Sequence, residues 1–489
     1  MPDSEDGREL TELGDMEADE FRAALHRVAD WVADYRADIE NRRISPDIAP
    51  GEIASRLPST PPEDATPLDE IFRDFQELVM PGIVHWGHPA FLGYFGSTTT
   101  APGILGEMMS AALNVSAMTW RTSPAATELE TLVLDWLRQM LALPTEWTGV
   151  VYDTASVAVL HALAAARESL SLDARAQGLA GRPEVPRLRV YASDQAHSSV
   201  EKAAIVLGLG ERNVRRIESD AAYRMDVAKL RRALEEDARQ GVLPMAVVAT
   251  VGTTSTTSVD AVAEIAALCR ERRVWLHVDA AYGGAMALLP EGRHLMNGVE
   301  AADSVVVNPH KWLFVPLDFS ALYVRRPELL RATFSLVPEY LRGDAEQSER
   351  NYMDYGIQLG RRFRALKAWM VFRNFGRRGI EARIREHVRL ARLFASWLDA
   401  DAAFEVLAPV TMAVVCFRAV ESGAGHSSEE ELNEYNRRLV EAVNATGEAY
   451  LTHTSLHGRV AMRLAVGNVL TTEQHLARVY QLIRREMSL

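Results

Sequence analysis

The chain of 489 residues has only two cysteines, Cys269 and Cys416, each isolated in an apolar segment (AALCRE and VVCFRA). Two such thiols cannot build a disulfide framework and read as buried thiols of a reduced cytoplasm. Positive charge is also short: 53 Lys and Arg stand against 67 Asp and Glu, a formal net charge of −14. That balance argues against a nucleic-acid or anionic-membrane partner. No apolar run reaches the length of a membrane span. The stretch Met1 to Glu20 is acidic and lacks the apolar core of a signal peptide. No internal repeat is visible. What remains is ordinary for a globular protein, 48% hydrophobic and 25% charged, in a chain long enough for two or three domains.

Three parts are expected. Residues 1–90 open with a polar tail, after which Phe21, Leu25, Val28, Val32 and Tyr35 mark one helix face. The proline-rich stretch from Ile44 to Pro67 reads as an extended arm, and Asp69 to Met80 as a second amphipathic helix. Two helices and an arm cannot bury these faces alone, so they must pack on another body. Residues 91–375 alternate strands and helices, as a mostly parallel sheet requires. Within them Ser123 before Pro124 predicts a cap and first turn for the helix carrying TELETLVLDWL. Residues 376–489 alternate helix, strand (Thr411 to Phe417), helix, strand (Val460 to Ala465) and helix, a smaller α+β domain.

Chemistry concentrates at Lys311. The apolar strand before it breaks at Asn308-Pro309 and is followed by His310, Lys311 and Trp312. Proline ends the strand and leaves the lysine on a turn. Apolar neighbours disfavour its charged form, which makes it a candidate Schiff-base amine. Upstream, VWLHVDAAYGG places Asp279 at the carboxyl end of a strand, where open α/β sheets bind ligands. A carboxylate there suits the pyridinium nitrogen of pyridoxal 5′-phosphate, and the small Ala280 and Ala281 leave room for a flat ring. In YASDQAHSSVEKAAIVLG, His197 precedes a helix and could stack on that ring. In VVYDTASVAVLHALAAAR, Thr154-Ala155-Ser156 open an alanine-rich helix whose first N–H groups suit a phosphate. VVATVGTTSTTSVD adds a strand and a threonine-rich loop at the same sheet edge.

These segments together resemble the pyridoxal-phosphate-dependent aromatic-L-amino-acid decarboxylase family, the group II decarboxylases. The likeness is carried by HWGHPAFLGYF, SPAATELE, DQAHSSVE, ATVGTT, HVDAAYGG, NPHKW and LGRRFRALK, with a P-x-x-x-P-G pattern ending the N-terminal stretch. It covers nearly the whole chain and is weakest after about residue 400. It implies an α/β, fold-type I architecture: a mostly parallel seven-stranded sheet in the large domain, a smaller α+β C-terminal domain and a helical N-terminal dimerisation segment. It implies a cytoplasmic homodimer with its active site at the interface, and no metal. Lys311 would hold the cofactor aldehyde, Asp279 would pair with the ring nitrogen, and Ala281 and His197 would cover the two ring faces. Ala155, Ser156, Asn308 and His310 would hold the phosphate, and Thr250 would lie near the ring or Asp279. One position departs: Asp153 stands where the family has glycine, and a carboxylate should repel a phosphate unless it points away or finds a partner.

The resemblance also implies the reaction, decarboxylation of an aromatic L-amino acid to its amine. The alternatives are aldehyde synthesis, a non-aromatic substrate and a non-enzymatic pyridoxal-phosphate-binding homologue. The direction of Arg121, Arg361 and Arg362 is not legible from sequence. The segment from Pro338 to Gly356 is polar and lacks periodicity, and reads as a mobile loop. Counting back without gaps from LGRRFR, Tyr352 falls at the family's catalytic tyrosine, which would protonate the carbanion. Trp86, Tyr94 and Phe95 match aromatic positions of the side-chain pocket, where Ser116 and Met118 replace bulkier residues and widen it.

Overall fold

The computed structural model describes residues 15–96, 98–336, 350–420 and 428–488. The chain forms two compact units, Met1–His88 and Pro89–Leu489.

In the first unit the helix Ala18–Ala37 carries the predicted apolar face, yet none of its residues is buried. Trp31 stacks on Tyr35 with centroids 5.4 Å apart and meets Phe75 edge-on at 5.3 Å. Tyr35 Oη lies 2.9 Å from His85 Nδ1. The helix expected from Asp69 to Met80 is α-helical only over Leu68–Asp74. It widens to a π turn at Phe75–Val79 and closes with a 3-10 turn at Met80–Gly82. Pro81 supplies no N–H, so the helix cannot run on.

The second unit is built around a seven-stranded sheet of β1 (Thr148–Tyr152), β2 (Leu188–Ser193), β3 (Val214–Ile217), β4 (Leu243–Thr250), β5 (Trp275–Asp279), β6 (Ser304–Val307) and β7 (Ser320–Val324). The order is β1-β7-β6-β5-β4-β2-β3, and β7 alone runs antiparallel to its neighbours. β5 and β6 are buried along their whole length, which is why they read as unbroken apolar runs. The helix Ala155–Glu168 lies close on the sheet because Ala158, Ala162, Ala165 and Ala166 present no bulk.

A second sheet, wholly antiparallel, is ordered β10-β11-β9-β8 from β8 (Phe404–Val406), β9 (Val414–Ala419), β10 (Thr452–Leu456) and β11 (Arg459–Ala465). Its β8 and β10 were not foreseen. The long helix Arg364–Asp399 links the two sheets and breaks at Gly376, whose φ of 62° and ψ of 164° are not helical. The helix Pro124–Met140 begins where Ser123-Pro124 predicts, but Ser123 does not cap it: its hydroxyl donates to the Ser116 carbonyl at 2.8 Å.

Candidate active site

Parallel strands deliver their carboxyl ends to one edge, and the predicted segments meet there. Thr250 ends β4 and pairs in register with Asp279, which ends β5. Asp279 pairs with Val306, two residues before Asn308. β1 and β2 run in the same direction and lead to Asp153 and toward His197. Antiparallel β7 starts at this edge, which puts Ser320 opposite Tyr152.

Lys311 lies in a single helical turn, Pro309–Trp312, started by proline. Its Nζ lies 5.1 Å from the centroid of Phe95. Desolvation lowers its pKa; the Asp279 carboxylate opposes that fall and the Arg463 guanidinium adds to it. The sequence holds only four lysines. Lys202 is exposed, Lys229 pairs with Glu218 at 2.6 Å, and Lys367 is buried in an ion pair with Glu107. Lys311 is thus the lysine whose surroundings favour a neutral amine without tying it to a carboxylate.

Asp279 is buried, and its Oδ1 accepts from the Ala281 N–H at 3.0 Å, leaving Oδ2 unengaged among the described residues. Thr250 is 4% exposed and its Oγ1 is buried without a hydrogen-bond partner. His197 accepts from the Ser199 N–H through Nδ1 at 3.1 Å, so the neutral ring carries its proton on Nε2. Its pKa is lowered, first by desolvation; Asp279 and Lys311 pull it in opposite directions.

Around the expected phosphate position, Ala155 and Ser156 open a helix that no side chain caps. Ser320 Oγ donates to Asn308 Oδ1 at 2.8 Å, and the Asn308 amide lies 3.3 Å from His310 Nε2. His310 Nδ1 accepts from the Phe319 N–H at 2.9 Å. Burial pushes the His310 pKa down to about 3, so the ring is neutral.

Two residues at this edge escaped sequence reading. Ser320 looks like any strand start, and only the antiparallel β6–β7 register, with Val307 opposite Ala321, brings it to Asn308. Arg463 lies on β11 with an unremarkable apolar setting (VAMRLAV). Its guanidinium is 4.6 Å from the Phe95 centroid, held by the Tyr94 carbonyl at 2.6 Å and the Ser255 carbonyl at 3.2 Å. Its remaining nitrogen, Nη2, is buried without a partner.

The predicted substrate pocket is only partly assembled within one chain. Phe95 stacks on Tyr282 at 3.9 Å, and Tyr282 on Trp312 at 4.6 Å, so it belongs to the Lys311 cluster. Tyr94 is 50% exposed and stacks on Tyr450. Trp86 belongs to the first unit and is 43% exposed. Ser116 is exposed and Met118 half-buried, and neither contacts the cluster; the Met118 carbonyl accepts from Met353 N–H at 3.1 Å.

Tyr352 requires a correction. It is 1% exposed, its hydroxyl lies 3.0 Å from Thr131 Oγ1, and the Arg361 guanidinium sits 4.8 Å from its ring centroid. None of these partners belongs to the Lys311 cluster. A phenol so enclosed does not reach the Lys311 cluster in this arrangement. The ungapped count placed it by position along the chain, and burial decides otherwise. The mobile-loop expectation fails for residues 350–356, where Tyr352–Tyr355 is a 3-10 turn with three of its four residues buried. Residues 338–349 lie outside the described residues. Arg361 is equally committed: it donates to Glu130 at 2.6 and 3.0 Å, and both are buried. Arg362 pairs with Glu107 at the surface.

An amine of lowered pKa, a buried carboxylate with a free oxygen, an orphaned hydroxyl beside it and an uncapped helix start fit pyridoxal 5′-phosphate. Residues 50–420 match the pyridoxal-dependent decarboxylase conserved domain. Tryptophan decarboxylase 1 of Oryza sativa subsp. japonica is 40% identical over 96% of this chain and 94% of its own length. Phenylacetaldehyde synthase of a Rosa hybrid cultivar is 38% identical over 96% and 94%. The crystal structure of Oryza sativa TDC with PLP and tryptamine superposes with a TM-score of 0.93 at 39% identity, over 97% of this chain and 99% of that one. The chain therefore belongs to the pyridoxal-dependent decarboxylases, group II, and is a pyridoxal-phosphate-dependent amino-acid decarboxylase.

Proposed function

We propose that the enzyme converts an aromatic L-amino acid to its amine and carbon dioxide, as a cytoplasmic homodimer whose site is completed at the subunit interface. The observation that carries the reading is the convergence of Lys311 and Arg463 on the aromatic wall of Phe95, with the Asp279 carboxylate acting on the Lys311 amine. Bound pyridoxal phosphate supplies an electron sink for the pair left when the carboxylate departs.

The chain's own residues prepare for that. Lys311 Nζ gives up its proton more readily, because burial and the fixed charge of Arg463 lower its proton affinity against the pull of the Asp279 carboxylate. Asp279 Oδ2 can hold a proton on the ring nitrogen, while Oδ1 stays locked on Ala281 N–H. His197, with its proton on Nε2, would cover a ring face. Phe95 gives an aromatic substrate a partner, worth about 0.5–1.5 kcal/mol beyond area burial. Its support behind, Tyr282 and Trp312, is fixed by the bond from Trp312 Nε1–H to His387 Nδ1 at 3.0 Å.

The dimer reading rests on uncovered apolar surface. Leu105, Met109 and Leu113 recur every four residues on the helix Ala101–Leu113 and are 52%, 43% and 58% exposed. Such a stripe marks an interaction face. Ser116 follows directly, so its exposure suits a residue lent to the other subunit's pocket. Cytoplasmic residence is supported by the free thiols, for burial pushes Cys269 and Cys416 up to about 12.

The test is product analysis with tryptophan, tyrosine, phenylalanine and DOPA. Equal amounts of amine and carbon dioxide, without peroxide, are expected. Ammonia and peroxide in step with carbon dioxide would make the enzyme an aldehyde synthase. Turnover of aliphatic or acidic amino acids alone would refute the aromatic assignment.

A further inference from the structure

Asp153 is a charged side chain at the rim of the phosphate cradle, and its geometry is specific. It follows β1 and precedes Thr154, the residue before the helix Ala155–Glu168. Its Oδ1 accepts from the Thr154 N–H at 2.7 Å. Its Oδ2 is 3.5 Å from Gln358 Nε2, a long contact with a neutral amide. Its carbonyl oxygen lies 3.4 Å from Ser320 Oγ, the hydroxyl that also holds Asn308. No lysine or arginine pairs with it among the described residues. The carboxylate is only partly buried, and no side chain caps the helix that follows.

We infer that Asp153 loosens the grip on the 5′-phosphate and makes the cofactor exchangeable. Two effects add. The side chain takes the Thr154 N–H, the donor immediately before the Ala155 and Ser156 N–H groups, out of the phosphate's reach. It also fixes a negative charge beside a dianion, with no cation to offset it. The site then gains less from the phosphate than an uncapped helix start can give. The fraction of loaded enzyme becomes sensitive to the free cofactor concentration. This rests on the reading of the Ala155–Glu168 helix start as the phosphate site.

Titrating apoenzyme with pyridoxal 5′-phosphate and, separately, with pyridoxal tests the inference through dissociation constants, without turnover. Asp153→Asn keeps an oxygen for the Thr154 N–H and removes the charge. Asp153→Gly removes both. Asp153→Asn should tighten pyridoxal 5′-phosphate by about threefold to thirtyfold and leave pyridoxal unchanged. The gain should shrink at high salt. Asp153→Gly should tighten it at least as much, the excess reporting the released N–H. Unchanged or weaker binding of pyridoxal 5′-phosphate by Asp153→Asn overturns the inference, as does equal tightening of both ligands. A parent apoenzyme that binds pyridoxal as tightly as its phosphate, with both variants doing the same, would instead remove the phosphate site itself from this helix start.

Discussion

The Lys311 cluster and the Tyr352 turn use similar residues, an arginine against an aromatic ring in each, and finish them differently. At Tyr352 the groups are paired: the phenol with Thr131, Arg361 with Glu130 and the carbonyls of Ala117 and Val151, and Glu130 also with the Val151 N–H. Burial there pushes the Tyr352 pKa up to about 12, which suits a structural hydroxyl. At Lys311, Thr250 Oγ1 and Arg463 Nη2 are buried and unpartnered, and the amine and His197 both have lowered pKa values. Unsatisfied polar groups are costly, and folded proteins keep few of them. Two such groups beside an amine of lowered pKa suit a place where a ligand completes the structure; the pairing around Tyr352 suits scaffold.

That contrast can be broken in several ways. Lys311→Ala should cost turnover by roughly a thousandfold or more, since the group that joins the cofactor is gone. It should leave the thermal stability of the apoprotein close to the parent's. A variant retaining a tenth of parental activity would contradict the assignment. Glu130→Ala should show the opposite pattern. It strands the buried Arg361 charge and should cost about 3–5 kcal/mol in urea unfolding. The protein that remains folded should bind cofactor normally.

Arg463→Gln probes the cluster more gently. Arg463 helps hold the Lys311 pKa down, so removing it raises that pKa and lowers the neutral fraction at a given pH. The rate at which apoenzyme captures pyridoxal phosphate should therefore fall near neutrality. Its half-maximal pH should move upward. A downward move would contradict the sign. The smallest effect is expected of Tyr352→Phe, which loses one hydrogen bond worth about 1 kcal/mol. It should keep amine as the main product. Carbonyl product with peroxide from this variant would restore Tyr352 as the proton donor.

Much of the site was legible because each chemical residue sits where a strand ends. β5 and β6 are short apolar runs stopped by Asp279 and by Asn308-Pro309, so their carboxyl ends could be read directly. Thr250 and His197 followed from the same pattern. Arg463 was not legible, because its importance comes from a tertiary approach of β11 to the loop carrying Tyr94 and Phe95. Ser320 needed the β6–β7 register. Tyr352 was misread because an ungapped count carries position along the chain and no information on burial. In the fold, the two N-terminal helices were placed by periodicity, while the π turn at Phe75–Val79 left no signal in it.

The central claim is that Lys311, of four lysines, carries the cofactor. Borohydride reduction of the loaded enzyme, digestion and peptide mapping test it directly. The account predicts a single pyridoxyl adduct, on the peptide containing NPHKW. An adduct on Lys202, Lys229 or Lys367 under the same conditions, with Lys311 unmodified, would contradict it.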